Sequence, residues 1–274
     1  RHRGARGLRE LTRKLRGLSP DWFLGVSRSA RTALLARLSG AGTRVGFEGF
    51  GRRLAYDRVV PRLDEGTTFV ERPLRLLLGL GLAPAARPMR LHVGQPRREQ
   101  ARRRLERAGW RGEALLAIAP GAHYATKRWP EEHVAGLLDR LIACRDLRPA
   151  LVGGPGEAEL IGRLLEGRAW VLDRRGLGVG DMAAEIALAS AFLGGDSGPS
   201  HIARALGVPA LVLHGPTPPE PLEDGRPYHY LSRGLDCQPC SASGDPECPL
   251  GHHRCLREIS PDQVLERLDE IVLG

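Results

Sequence analysis

Apolar stretches alternate with amphipathic ones along the second half of the chain, from about residue 114. The apolar runs, each the length of a strand, are residues 115–121, 150–154, 170–173, 192–196 and 209–215. The amphipathic segments between them are residues 130–143, 157–167, 181–191 and 200–207. In the first of these, Val134, Leu137 and Leu141 recur at helical spacing and form one apolar face. This succession predicts an α/β fold with a doubly wound parallel sheet.

The first half is less regular but also alternates helices and strands. Helices are predicted at residues 8–18, 30–41 and 71–82, strands at residues 21–27 and 44–47, and a basic helix at residues 98–110. We predict a smaller α/β domain at 1–95, a linker helix at 96–111, a larger α/β domain at 112–260, and a final helix at 261–274. That final helix is expected to pack back against the first domain.

Basic residues are concentrated in the first half. Residues 1–111 contain 26 Lys and Arg against 9 Asp and Glu, a net charge of +17, whereas residues 112–274 contain 15 against 23, a net charge of −8. This asymmetry indicates a basic region that meets an anionic partner, although an arginine-rich composition on solvated helices explains part of it. No run approaches the roughly 18 uncharged apolar residues of a membrane helix, and the first residues do not resemble a secretory signal.

The predicted strands end in segments rich in glycine and proline: APGAHYATK, GGPGE, GGDSG and HGPTP. Parallel strands place these segments on one edge of the sheet, where ligands of doubly wound proteins bind. Lys127, one of only two lysines in the chain, could neutralise a diphosphate there, or it is a solvated surface residue. Glu157 could accept hydrogen bonds from both hydroxyls of a ribose, or it is a favourable charge in the first turn of a helix.

Residues 194–201, GGDSGPSH, allow two interpretations. GDSG surrounds the nucleophile of chymotrypsin-like proteases, but those enzymes consist of antiparallel strands, and neither a partner motif for a histidine base nor G-x-S-x-G is present. The same residues suit a phosphate at a strand-to-helix turn, where Ser197 donates a hydrogen bond and Gly198 leaves room. Asp196 would then accept hydrogen bonds from sugar hydroxyls. The alternative is that Asp196 or Ser197 only caps the helix.

Two further residues near this edge have two interpretations each. His201, one turn into the helix after GGDSG, either touches the phosphate or forms a local hydrogen bond. Met182 either lines a pocket for a nucleobase or packs in the core, and the core is the more common place for methionine.

Four stretches together resemble glycosyltransferase family 9, the ADP-heptose:lipopolysaccharide heptosyltransferase family. They are PGAHYATKRWPEEH, LVGGPGEAE, FLGGDSGPSHIARALGVPALVLHGPTPP and CQPC…CPLGHHRC, and they look most like the heptosyltransferase II branch. The resemblance implies a GT-B fold of two Rossmann-like domains. It also implies an inverting transfer of heptose from ADP-heptose to the lipopolysaccharide inner core, with no required cofactor or metal.

The resemblance assigns roles to the residues that match its motifs. Lys127 and Asp196 would be catalytic, with Lys127 stabilising the diphosphate and Asp196 holding the donor sugar. The donor-binding residues would be Ala122, His123, Lys127, Glu157, Met182, Asp196, Ser197, Gly198 and His201. Glu157 would bind the ribose, and the last three would meet the phosphates. The first heptosyltransferases carry threonines at the positions of Ala122 and His123.

The general base of the family is an aspartate in a G-D-x-x-x-x-x-P motif after the first strand, and no such motif occurs here. We therefore expect the first domain to lack its N-terminal strand and the chain to be a truncated piece. Two alternatives stay open at this point. The chain could be a catalytically inactive remnant that binds nucleotide sugars, or another sugar-nucleotide enzyme of GT-B shape, such as a 2-epimerase.

The resemblance also suggests the partner of the basic first half. The lipopolysaccharide inner core carries carboxylates and phosphates at the inner membrane face, so a basic acceptor domain would attract it. Nucleic acid is the rival anion, but no recognition helix, aromatic platform or zinc finger supports it. We expect a cytoplasmic protein, with peripheral association at the inner membrane left open.

Four of the five cysteines lie close together near the C-terminus. Cys237, Cys240, Cys248 and Cys255 form the pattern C-x2-C-x7-C-x6-C. Four thiolates at this spacing suit a tetrahedral metal site, and we favour a structural zinc over free thiols. A disulfide is disfavoured in the cytosol. The fifth, Cys144, belongs to an apolar helical pattern and is expected to be a small buried residue.

Overall fold

The computed structural model describes residues 4–27, 29–49, 51–61, 71–83, 88–143, 147–219 and 227–273. The chain divides into two compact units, residues 1–87 and 88–274. Cys144 and its predicted burial lie outside the described residues. Each unit is an α/β structure whose strands run parallel.

The first unit contains a three-stranded parallel sheet in the order β1-β2-β3. Its elements are α1 (Gly4–Gly17), β1 (Trp22–Gly25), α2 (Ala30–Leu38), β2 (Thr43–Phe47), β3 (Arg58–Val60) and α3 (Glu71–Leu74), which continues as a 3-10 helix (Arg75–Leu80). Val45, Phe47, Val60 and Leu76 form its buried core. Tyr56 packs flat over Gly46, where a Cβ would lie 2.4 Å from the ring, so glycine is required there.

The second unit contains a six-stranded parallel sheet in the order β6-β5-β4-β7-β8-β9. Its first elements are α4 (Gln95–Arg107), β4 (Ala114–Ala119), α5 (Glu131–Leu141), β5 (Leu147–Val152), α6 (Ala158–Leu165) and β6 (Leu172–Arg174). The remaining elements are α7 (Val179–Ile186), β7 (Ala191–Gly195), α8 (Gly198–Leu206), β8 (Ala210–Leu213), β9 (Tyr228–Leu231), α9 (Arg254–Arg257) and α10 (Pro261–Leu273).

Both faces of this sheet are covered, which explains why its strands are apolar throughout. Successive residues of β4 point to opposite faces. Leu116 and Ile118 join one core with α5, α6 and α10, while Ala117 and Ala119 join a second core that contains Phe192. Burying one leucine side chain of this kind contributes about 1.5–3 kcal/mol.

The strand order reverses between β4 and β7, the two central strands. After β4 the chain moves outwards through β5 and β6, then returns to place β7 on the other side of β4. Such a switch point opens a crevice at the carboxyl ends of the two strands. The segments APGAHYATK and GGDSG therefore border the crevice directly, as their positions in the predicted sheet require.

Two predicted helices, the basic helix and the final helix, pack against other elements of the second unit. The basic helix α4, predicted as a linker, packs against α7 through Ala101, Ala183 and Ala184. The final helix α10 packs against α5 and β8 through Val264 and Leu268. Its predicted packing against the first domain stays a prediction, as do the four domain ranges. The short strands β3 and β9 were not predicted from the sequence.

Candidate active site

Lys127 and Asp196 meet at the switch point. Residues 120–127 follow β4, and Asp196 follows β7 immediately. Lys127 Nζ lies 2.6 Å from Asp196 Oδ2, and the two side chains are only 15% and 20% exposed. The structure thus brings together the two residues that the sequence singled out as catalytic candidates, as a largely enclosed ion pair.

Glycines at the strand ends permit this approach. A Cβ at Gly195 would lie 2.5 Å from the Lys127 carbonyl oxygen, and a Cβ at Gly215 would lie 3.3 Å from the Thr126 carbonyl oxygen. Both distances are shorter than an ordinary contact of a side-chain carbon. The loop after β4 can therefore cross the ends of β7 and β8 only because those positions carry no side chain.

Asp196 is an anion at neutral pH. Burial favours its protonated form, but hydrogen bonds from Lys127 and Thr217 outweigh this effect and lower the pKa of Asp196 below its ordinary value of 3.8. The Thr217 hydroxyl donates to Asp196 Oδ2 at 2.7 Å. An ionised carboxylate can only accept hydrogen bonds, so the group suits the hydroxyls of a sugar.

Two histidines lie beside this carboxylate in different environments. His201 Nε2 is 3.7 Å from Asp196 Oδ1, and its side chain is 42% exposed. His214 follows β8 and is 3% exposed, with its ring edge-on to Tyr230 at 4.9 Å between centroids. Burial lowers the pKa of His214, although the negative charge of Asp196 acts in the opposite direction. His214 is therefore neutral at pH 7.

Ser197 is the N-cap of α8, the helix that begins at the crevice. Its backbone N–H donates to Ser200 Oγ at 3.3 Å, and its backbone carbonyl oxygen accepts from the Ser200 N–H at 3.1 Å. A Cβ added at Gly198 would have no neighbour within 4 Å, so open space lies above the first turn. Among the described residues the buried Ser197 Oγ has no hydrogen-bond partner, and contact of Ser197 and Gly198 with a phosphate stays a prediction. The free N–H groups and the dipole of α8 favour an anion there.

Glu157 lies on the same edge, in the turn that follows β5. Its side chain crosses Gly121 of the β4 loop, where a Cβ would lie 2.3 Å from Glu157 Cγ. Across the described ranges of the chain, the carboxylate has no hydrogen-bond or ion-pair partner. It is therefore available as an acceptor for hydroxyls, and its predicted contact with a ribose stays a prediction.

The remaining three predicted donor contacts differ in exposure. Ala122 is buried, and its carbonyl accepts a hydrogen bond from Arg128 Nε at 2.8 Å, which holds the β4 loop. His123 is exposed. Met182 is 7% exposed and packs in the core beside Ala119, which agrees with its alternative interpretation as a core residue. Contact of these three residues with the donor stays a prediction.

The geometry of the four clustered cysteines does not fit the predicted zinc. All four are free thiols: Cys255 is buried, Cys240 is exposed, and Cys237 and Cys248 are half-buried. Burial raises the pKa of Cys255 to about 11, and the neighbouring Cys240, Cys248 and Cys237 act in the same direction. In the part of the chain that the structure describes, no group of three or more His, Cys, Asp and Glu side chains is placed to hold a metal ion.

Three residues of the site were missed by sequence reasoning: Thr126, His214 and Thr217. Thr217 and His214 lie in the strand-end segment HGPTP, whose place on the ligand edge was predicted. Their position in this segment could therefore have identified both residues as candidates for the site. Thr126 lies in APGAHYATK, which was placed on the same edge, but its contacts with a segment more than 100 residues later could not be predicted from the sequence.

No helix in the described ranges is both long and apolar enough to cross a membrane.

The fold and the site together define a class of protein. A parallel α/β unit with a Lys–Asp pair and a helix N-terminus at its switch point, and a carboxylate after the neighbouring strand, is typical of proteins that bind nucleotides. The chain belongs to glycosyltransferase family 9 (heptosyltransferase), whose family model matches residues 8–250.

Curated relatives are heptosyltransferases. The chain is 27% identical over 290 residues to lipopolysaccharide heptosyltransferase 2 of Escherichia coli strain K12, covering 97% of this chain and 79% of that protein. It is 26% identical over 176 residues to lipooligosaccharide heptosyltransferase 2 of Campylobacter jejuni serotype O:2, covering 59% of this chain. That alignment includes 52% of the relative, so the chain spans about half the length of this relative.

Solved structures share the fold. A family 9 glycosyltransferase from Veillonella parvula superposes with a TM-score of 0.84 at 23% identity, covering 100% of this chain and 80% of that one. The E. coli ADP-heptose lipopolysaccharide heptosyltransferase II superposes with a TM-score of 0.78 at 24% identity, covering 97% and 80%. The predicted GT-B fold of two Rossmann-like units is confirmed.

Proposed function

We propose that this chain carries the donor site of an inverting heptosyltransferase, which transfers heptose from ADP-heptose to the lipopolysaccharide inner core. The observation that carries the proposal is the enclosed Lys127–Asp196 pair at the switch point of the second unit, 2.6 Å between Nζ and Oδ2. Membership of the family, and the names of its relatives as heptosyltransferases, support the choice of donor and acceptor.

The charges of the site suit departure of a nucleoside diphosphate. As the bond between the sugar and the diphosphate breaks, negative charge grows on the leaving oxygen. The Lys127 ammonium would stabilise that charge, and a largely enclosed ammonium acts more strongly than a solvated one. The N-terminus of α8, with Ser197 and Gly198, would hold the phosphates.

Two carboxylates would orient the rest of the donor. The ionised Asp196 would accept hydrogen bonds from hydroxyls of the heptose, and the unpaired Glu157 would accept them from the ribose. Inverting transfer also requires a base that takes the proton of the acceptor hydroxyl, and we assign that step to none of these residues. Transfer without a metal remains a prediction, tested by comparing rates before and after chelation.

Calorimetric titration with ADP and then ADP-heptose tests the donor site. Lys127→Ala should weaken ADP binding about 10- to 100-fold, because a charge-assisted hydrogen bond is worth roughly 1.5–3 kcal/mol. Asp196→Ala should weaken binding of ADP-heptose more than that of ADP. Lys14→Ala is the matched control, since Lys14 is the other lysine and pairs on the surface with Glu10. Unchanged affinity in both site variants would refute the assignment.

A transfer assay tests the reaction itself. The protein for this assay is the gene product at full length, with ADP-heptose as donor and lipopolysaccharide lacking the heptose as acceptor. Transfer that is lost in the Lys127→Ala protein supports the proposal. ADP binding without transfer in the full-length protein would make the chain a nucleotide-sugar-binding protein instead.

A further inference from the structure

A segment that the proposed reaction does not use contacts the loop carrying Lys127. We call residues 237–255 the cysteine segment. The Thr126 hydroxyl donates to the Asp245 carbonyl oxygen at 2.6 Å and accepts from the Asp245 N–H at 3.0 Å. His253 Nε2–H donates to the Thr126 carbonyl oxygen at 2.9 Å. Because Thr126 is only 4% exposed, these bonds fix the backbone directly before Lys127.

The cysteine segment also packs on the side chain of Lys127. Gly244 has a φ of +92°, and a Cβ there would lie 2.5 Å from Lys127 Cδ and 2.9 Å from Cγ. Lys127 Nζ donates to the Ser243 carbonyl oxygen at 3.5 Å. The stem of the lysine therefore lies against the backbone of residues 243–244, and its ammonium points onwards to Asp196.

The same segment holds the loop after β8. The Pro216 carbonyl oxygen accepts from the N–H groups of Cys240 and Ser241 at 2.9 and 3.0 Å. Gln238 Nε2 donates to the Gly215 carbonyl oxygen at 2.7 Å. The next residue in this loop, Thr217, donates to Asp196. Both partners of Asp196 are thus supplied by loops that the cysteine segment ties down.

We propose that the cysteine segment positions Lys127 and Asp196 for the donor, and that Thr126 and Gly244 are positioning residues. This inference rests on the proposed role of Lys127 in binding the diphosphate. The two nearest atoms that face Gly244 belong to the flexible lysine stem, and the third is Tyr124 Cδ2 at 3.1 Å, so a side chain at position 244 would displace the lysine first. We therefore expect a side chain at position 244 to weaken donor binding more than it lowers the stability of the fold.

A pair of glycine variants tests the contact with the lysine stem. Gly244→Ala should weaken ADP binding about tenfold, as expected for loss of roughly one hydrogen bond to a charged group. Gly251→Ala is the matched control, because Gly251 lies in the same segment with a φ of +71° and no atom within 4 Å of its Cβ position. Equal ADP affinities of the two variants would overturn the inference.

A double-mutant cycle separates this inference from the proposed function. In a Lys127→Ala background, Gly244→Ala should cause no further loss of ADP affinity, because its effect acts through the lysine. If Lys127→Ala alone leaves ADP affinity unchanged, the proposed site is wrong. If Lys127→Ala weakens ADP binding and Gly244→Ala does not, the proposed donor site is supported and the positioning role of Gly244 is refuted.

Thr126 provides an independent test that does not depend on backbone strain. Thr126→Val removes the hydroxyl and should weaken ADP binding by about tenfold, whereas Thr126→Ser should restore it. Ser260→Ala is the control, because Ser260 Oγ caps α10 by accepting from the Gln263 N–H at 3.2 Å, away from Lys127. It should lower the unfolding temperature and leave ADP affinity unchanged. Failure of Thr126→Ser to restore binding would contradict the positioning role.

Discussion

Asp196 and His214 follow neighbouring strands and are both largely buried, yet only one is charged at neutral pH. Burial disfavours the charged form of each. Asp196 keeps its charge because Lys127 and Thr217 donate hydrogen bonds to it. For His214, burial lowers the pKa by more than the charge of Asp196 and a hydrogen bond with the Thr217 backbone raise it. The site therefore contains one anion beside one neutral, buried imidazole.

The neutral state of His214 gives the protein a pH-dependent stability. The pKa of His214 is below its ordinary value of 6.5, so the unfolded chain binds more protons as the pH falls below that value. The stability that His214 contributes is complete above pH 6.5 and is lost as the pH falls towards its folded pKa. Urea unfolding from pH 7.5 to about 5 should show a shallower loss of stability in His214→Gln than in the wild type. His229→Gln, at an exposed histidine, should follow the wild-type curve.

Between the elements, one buried carboxylate joins three pieces of the second unit. Glu185 of α7 is 1% exposed. It accepts two hydrogen bonds at 2.8 Å from Arg174 of β6 and one at 3.2 Å from Arg104 of α4. The pattern of α4 identified it as a basic helix, but not that one of its arginines pairs with a carboxylate 81 residues away.

Removing the carboxylate of Glu185 should lower the stability of the second unit. Glu185→Ala would leave Arg174, which is 14% exposed, without a carboxylate, whereas Arg104 would keep Asp181 at 3.4 Å. We expect a loss of about 3–5 kcal/mol in the free energy of unfolding. Glu159→Ala breaks the exposed pair with Arg163 and should cost less than about 1 kcal/mol. Denaturant titration of the two variants measures both values. A similar loss in both would contradict the role of Glu185 as a buried link.

Substitution of two glycines at the β7–α8 junction should affect different properties, namely stability for Gly195 and ADP binding for Gly198. Gly195→Ala places a Cβ 2.5 Å from a backbone oxygen and should lower stability by about 1–3 kcal/mol. Gly198→Ala faces open space and should keep stability but weaken ADP binding, if a phosphate approaches there. Thermal unfolding and calorimetry distinguish the two losses. Gly178→Ala, with an equally open Cβ position at the start of α7, should change neither.

Local pattern was enough for most of the elements, though not for the short strands β3 and β9, and for the edge at which the strands end. Strand ends of a parallel sheet must share one edge, so Lys127, Glu157 and Asp196 could be placed together before any coordinates. The hydrogen-bond partners of these residues could not be predicted. The contacts of Thr126 with Asp245 and of Glu185 with Arg104 depend on tertiary packing between distant segments. The cysteine pattern indicated a metal, but spacing alone does not decide whether four thiols converge.

At the scale of the whole chain, the boundary in charge and the boundary between the units do not coincide. Residues 1–87 contain 18 Lys and Arg against 7 Asp and Glu, a net charge of +11. Residues 88–111 add 8 basic residues, and these belong to the second unit with α4. The excess of basic residues is therefore shared between the two units.

Attraction of this kind depends on salt. We expect the chain to bind vesicles that contain phosphatidylglycerol at about 0.05 M NaCl and to lose most of that binding by about 0.5 M, where the Debye length is short. Cosedimentation measures it. Arg103→Glu with Arg107→Glu, on the exposed side of α4, should weaken binding at low salt, whereas Glu132→Lys should not. Binding that is insensitive to salt would contradict an electrostatic attraction.

The central position of β4 has a consequence for how the protein acquires its site. β4 pairs with β7 through Leu116 and Ala191, 75 residues apart, so this pairing closes a long loop. Contacts of such separation form late and slowly during folding. The crevice exists only once they have formed. We therefore expect a ligand of this crevice to bind only after β4 and β7 have paired, and not at the stage when single helices form.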